Sequence, residues 1–128
     1  MTTQSHPIPA WLMERVDGPQ LYLVPTVETL NEPEGRELTE YIRHRLSDDQ
    51  EASDISAIVL DLSKVGLITS PAIGALIVIH KRMMSTNKQF ILHNLSSMLL
   101  EALCFLKLDH VLTICRTDQE LDKALSSR

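Results

Sequence analysis

Cysteine, glycine and aromatic residues are all scarce in this 128-residue chain: two Cys, four Gly, two Phe, two Tyr and one Trp. Each scarcity removes a class of protein. Cys104 and Cys115 sit in the apolar contexts "ALCFL" and "LTICR" without a CxxC partner, which argues for reduced, buried thiols over a disulfide framework or a cysteine metal site. Gly18, Gly35, Gly66 and Gly74 are scattered, and neither the G-x-x-x-x-G-K-[ST] phosphate loop nor G-x-G-x-x-G is present. With aromatics at 4%, a net charge of −5 and no clustered Lys/Arg stripe, the chain lacks the stacking surfaces and positive field that hold nucleic acid. Direct nucleic-acid binding is not expected.

Long hydrophobic runs are also missing. The longest, Leu67 to Ile79, is broken by Thr-Ser-Pro and falls short of the roughly 20 residues a transmembrane helix needs. The start "MTTQSHPIPAWLMERVDG" has no basic region, apolar core or small-residue cleavage site, so a cytoplasmic protein without membrane contact is expected. Catalytic constellations are absent as well. Ile68 and Ala72 stand where a nucleophile elbow around Ser70 would need glycines. His6, His44, His80, His93 and His110 fall on different elements without ligand spacing, and His80 reads as a satisfied core or boundary histidine. No catalytic residue, metal or cofactor is expected, and the chain is not read as an enzyme.

What is present is a globular composition, 44% hydrophobic and 23% charged. Residues 1–10 read as a loose lead-in, followed by one domain over 11–128. Short apolar runs, Trp11–Val16 and Leu21–Val24, flank the turn-forming "DGPQ" and predict a hairpin. Leu38, Tyr41, Ile42 and Leu46 recur at helical spacing, ahead of the acidic segment "DDQEASD". "SAIVLDL", "QFILH" and "VLTIC" read as short buried strands. A helix from Ser96 carries Met98, Leu99, Ala102, Leu103 and Leu106, and a last helix opens on Thr117-Asp118. The order ββαβαβαβα implies an α/β fold, a mixed sheet with about four flanking helices, because each parallel connection needs a crossover.

The stretch "VGLITSPAIGALIVIHKRMM" is the most informative. Ser70 reads as the N-cap and Pro71 as the first helical residue, since a hydroxyl can accept from an orphan N–H while proline has none to leave unpaired. At 100° per residue Ile73, Leu76, Ile77, His80, Met83 and Met84 fill an inward stripe. Ala72, Ala75, Val78, Ile79 and Arg82 are then turned outward, an apolar face that either a neighbouring helix or the N-terminal segment covers or, on the favoured reading, docks a partner and tolerates Ile79→Glu. An anion on Ser70 would lie at the positive end of the helix.

From Ala57 to Ile114, "AIVLDLSKVGLITSPAIGALIVIHKRMMSTNKQFILHNLSSMLLEALCFLKLDHVLTI" resembles the STAS domain of bacterial anti-sigma factor antagonists. There a buried strand ends in D-L-S, a loop leads to D-S-[ST]-G, and an apolar helix opens; a Leu-Asp turn like Leu108-Asp109 follows the next helix. The resemblance implies a cofactor-free bacterial regulator. Its partner is an anti-sigma factor that is also an ATP-dependent serine kinase of the histidine-kinase-like ATP-binding type, released when the serine is phosphorylated. By that match Ser70 is the phosphoacceptor, and Asp61, Thr69 and Pro71 belong to the switch loop. Thr69 replaces the Asp of the motif, Pro71-Ala72 replace [ST]-G, and "LVPTVETLN" stands in place of a Gly-containing turn. Two alternatives stay open: a STAS scaffold subunit of a signalling complex that is never phosphorylated, and a small α/β enzyme holding an anion at the Ser70 helix terminus. A homodimer is also left open.

Overall fold

The computed structural model describes residues 7–47 and 54–126. Strands β1 (Leu12–Asp17) and β2 (Gln20–Pro25) form the expected hairpin through Gly18, whose φ of +61° suits a residue without a Cβ. The chain continues through β3 (Thr29–Leu30), α1 (Glu32–Ser47), β4 (Ala57–Asp61), β5 (Leu67–Ile68) and α2 (Ser70–Ser85). Then come β6 (Gln89–His93), α3 (Ser97–Phe105), a 3-10 turn (Leu108–His110), β7 (Thr113–Cys115) and α4 (Asp118–Ser126). The predicted order is found, with β3 and β5 added as a separate parallel pair.

The main sheet runs β1-β2-β4-β6-β7, antiparallel at β1 and parallel from β2 onward. Helices α1, α2 and α3 are the crossovers that parallel neighbours require. Alternation along the strands splits the core. Ile58, Leu60, Phe90 and Leu92 face Leu38 and Ile42 of α1 and Leu76, Ile79 and Met83 of α2, whereas Val59 and Ile91 face Cys115 and Leu121. The continuous apolar reading of "AIVL" thus reflects burial on both sides.

Helix α1 packs directly on α2. A Cβ added at Gly35 would lie 3.0 Å from the Ala75 Cβ and 3.2 Å from the Ala72 Cα, so the small residues let the two helices meet closely. This contact corrects the outward face read from the sequence. Ala72 and Ile79 are 1% and 2% exposed, covered by α1 as well as the sheet, while Met84, expected inward, is 62% exposed. The buried set, Ala72, Leu76, Ile79, His80 and Met83, is a helical stripe rotated about 60° from the predicted one, towards α1.

Helix α3 starts as expected, with the Leu99 N–H donating to Ser96 Oγ at 3.1 Å. Of its predicted apolar face only Leu99 and Leu103 are buried; Met98, Ala102 and Leu106 lie outside with Phe105. At α4 the Glu120 N–H donates to Thr117 Oγ1 at 3.0 Å and the Arg116 N–H to the Glu120 carboxylate at 2.8 Å, a reciprocal cap. Both cysteines are free thiols; Cys104 is half-buried rather than buried, and burial pushes the Cys115 thiol pKa up.

Candidate functional site

The start of α2 is fixed by the small second sheet. Thr29 pairs with Leu67 and Leu30 with Ile68, and beyond that pair the Leu30 carbonyl accepts both the Thr69 N–H (3.0 Å) and the Thr69 hydroxyl (3.3 Å). Thr69 has non-helical dihedrals (φ −78°, ψ 164°), and its carbonyl accepts the Ile73 N–H at 2.9 Å. Thr69 is therefore the N-cap, correcting the assignment of that place to Ser70. Ser70 is the first helical residue and Pro71 the second. Because Leu30 takes the Thr69 hydroxyl, no side chain caps α2. Pro71 reduces the loss, since it brings no N–H to leave unpaired.

Ser70 is exposed, and among the described residues its hydroxyl has no hydrogen-bond partner. The first turn of α2 carries no acidic side chain, so nothing there offsets the partial positive charge of the helix terminus. Alongside runs a shallow groove between α1 and α2, lined by Pro71, Gly74, Ala75 and Val78 on one side and Glu32, Arg36 and Glu40 on the other. Of the five residues expected on the docking face, only Val78 and Arg82 are exposed, Ala75 is half-buried against Gly35, and Arg82 borders a different depression further along α2. The switch-loop residues also divide. Thr69 and Pro71 flank Ser70, whereas Asp61 accepts from the Ser63 N–H (2.9 Å) and from Asn94 Nδ2 (3.0 Å), joining the ends of β4 and β6.

Three histidine and tyrosine sites were not resolved by sequence spacing. His80 is buried as expected, but its Nδ1 has no partner; burial lowers its pKa, opposed by a hydrogen bond to the Phe90 backbone. His93, also buried, reaches the Cys115 carbonyl through Nδ1 (2.9 Å) and the Asp118 carboxylate through Nε2 (3.1 Å), tying β6 to β7 and α4. Glu14 accepts from the Tyr41 hydroxyl and pairs with Arg45 at 3.3 Å, fastening β1 to α1. Only tertiary structure brings these partners together, 27 and 31 residues apart.

The Tyr41 pKa is pushed up to about 12 by burial and then by its bond to Glu14, with Arg45 opposing. A phenol whose folded pKa lies above the unfolded value near 10 lends stability that is complete below pH 10 and is lost as pH rises through 12. Tyrosinate absorbance should show this late ionisation and Tyr41→Phe should abolish it; an unchanged titration in Tyr41→Phe would refute the assignment.

Among the described residues no His, Cys, Asp and Glu group could hold a metal ion, and no helix is long and apolar enough to cross a membrane.

The family model of the STAS domain matches residues 37–124. No curated protein matches the chain in sequence. Among solved structures, TM1081 of Thermotoga maritima superposes with a TM-score of 0.74 at 20% identity, covering 90% of this chain and 94% of its own. An anti-sigma-factor antagonist (STAS) domain protein of Planctomyces limnophilus gives 0.71 at 21% identity, covering 91% and 98%. The unphosphorylated form of the Bacillus anti-sigma factor antagonist SpoIIAA gives 0.64 at 11% identity, covering 90% and 98%. At these identities the likeness is one of fold, and it extends over nearly the whole of each relative.

Proposed function

The chain belongs to the STAS domain family, and on that premise we propose that it is an anti-sigma factor antagonist, binding an anti-sigma factor through the α1/α2 surface and switched by phosphorylation of Ser70. The observation that carries this reading is an exposed serine hydroxyl in the first turn of α2, without a hydrogen-bond partner among the described residues, beside the groove of Pro71, Gly74, Ala75 and Val78. The role is regulatory. The partner is an anti-sigma factor with serine kinase activity of the histidine-kinase-like type, which moves the γ-phosphoryl group of ATP to Ser70 Oγ and releases ADP. SpoIIAA, a relative in fold, is known in unphosphorylated and phosphorylated forms.

The physics is asymmetric between free and bound states. A phosphate adds about 1.5 to 2 negative charges, which the helix terminus tolerates in the free protein. A partner seated on Pro71 and Val78 would meet that charge at its rim, with repulsion and a desolvation cost. Ser70→Asp is therefore expected to weaken partner binding about tenfold, the size of a 1.4 kcal/mol change. Ser70→Ala should bind constitutively and melt within about 0.5 kcal/mol of wild type, because Ser70 is not the cap.

The test is calorimetry with the partner recovered from cell lysate, combined with mass spectrometry of Ser70. Equal affinities for wild type and Ser70→Asp, with no phosphate on Ser70, would instead establish the scaffold reading, which Thr69 and Pro71-Ala72 at the switch positions favour.

A further inference from the structure

Between the C-terminal halves of α1 and α2 lies a cavity of about 220 Å³, walled by Ile42, Leu46, Ile79 and Met83 and rimmed by Arg43, Arg82 and Lys88. The three cations are not equivalent. Arg43 pairs with Glu40 at 2.9 Å, and Lys88 Nζ donates to the Ile55 carbonyl. Arg82 has no side-chain hydrogen-bond or ion-pair partner among the described residues. A basic side chain in a last turn ordinarily answers the exposed carbonyls of the helix end. Here that work is done by other groups. Ser85 Oγ donates to the Arg82 carbonyl (2.7 Å), the Thr86 N–H and hydroxyl to that of Met83 (both 3.1 Å), and the Asn87 N–H to that of Met84 (3.0 Å). Among the described residues the guanidinium is thus left over, at the mouth of an apolar hole.

We propose that this cavity binds a small amphipathic carboxylate, its aliphatic chain in the apolar hole and its carboxylate on Arg82. Size sets the chain: a cavity of roughly 150 Å³ takes up the six carbons of benzene, so 220 Å³ holds about eight. Charge sets the head, since one unpaired guanidinium balances one negative charge, and its planar fork matches a carboxylate in two parallel hydrogen bonds. The occupant also restores the dispersion contacts that the walls of an unfilled hole forgo. The site does not involve Ser70, so its failure and that of the proposed function are separate results.

Sodium octanoate, kept below its micelle-forming concentration, is the probe, with 1-octanol as its neutral counterpart. Methyl NMR of the full chain should show saturable shifts at Ile42, Leu46, Ile79 and Met83, with octanoate preferred to octanol. Arg82→Gln should weaken octanoate about fivefold, less than a buried charge-assisted bond because the rim is open to solvent, and leave octanol unchanged. Leu46→Trp, which fills the hole from a half-buried position, should abolish both. The proposal is overturned if octanoate gives no saturable shift, if the shifts fall instead on Met98 and Leu106 at the exposed α3 face, or if Arg82→Gln binds octanoate as wild type does.

Discussion

Ile79→Glu is expected to unfold the protein, or to leave it so weakened that it melts near room temperature. Ile79 is 2% exposed, held between the sheet and α1. Removing it gives up about 1.5–3 kcal/mol of apolar burial. The new carboxylate then loses its hydration, a penalty of several kcal/mol for a charge without a buried partner. Arg82 lies three residues along and can approach, but an i, i+3 pair is worth only about 0.2–0.5 kcal/mol. Against a total stability of about 5–15 kcal/mol for a domain of this kind, the deficit is most of what there is. Val78→Glu is the control: Val78 is 43% exposed, and its melt should stay within about 0.5 kcal/mol of wild type. A cooperative melt of Ile79→Glu at the wild-type temperature would mean that α1 does not cover this face in solution.

Gly35→Leu should cost about 3 kcal/mol or more. Glycine is the poorest helix former after proline, so a substitution inside α1 ought to gain about 1 kcal/mol from propensity alone. The site reverses the sign. Even the first atom of a side chain would sit 3.0 Å from the Ala75 Cβ and 3.2 Å from the Ala72 Cα, and the latter is backbone that cannot rotate aside. A leucine must therefore separate α1 from α2, losing part of the packing of Leu38, Ile42, Leu76 and Ile79 as well as straining the contact. For a chain of this length the Tm should fall by roughly 10–15 °C. Gly35→Ala should fall between the two, with propensity offsetting a smaller clash. Urea melts of the three proteins give the ordering, and a Gly35→Leu as stable as wild type would refute the close approach.

These two residues also mark where sequence periodicity stopped being informative. Strand identity was legible because "AIVLD" and "QFILH" are apolar without interruption, and only strands buried on both sides need that. Helix α2 was legible as a helix, but its orientation was not. An apolar stripe gives direction only when one side of the helix is buried, whereas α2 is covered by the sheet and by α1, so nearly every rotation satisfied the pattern. Gly35 carried the missing information, in a residue that looks like a helix defect until its neighbour is known. The N-cap failed differently. Thr69 and Ser70 are both good capping residues, and the choice was made by Leu30, a partner 39 residues earlier whose two-residue strand is too short to carry any periodicity.

That bond to Leu30 has a consequence for timing. Ser70 meets any enzyme already wound into a helical turn, with the preceding residue held to Leu30 by both its backbone N–H and its hydroxyl. A catalyst that grips its substrate in extended form must first free Thr69 from Leu30 and unwind the turn, and it acts only during those openings. One that recognises a folded helix end acts on every encounter. For the first kind, the rate of modification equals the opening equilibrium multiplied by the chemical step, so loosening β3 accelerates modification without touching the serine. For the second kind the same loosening slows it. If Ser70 is phosphorylated as proposed, the response of the rate to a substitution at Leu30 therefore tells which kind of catalyst acts on it.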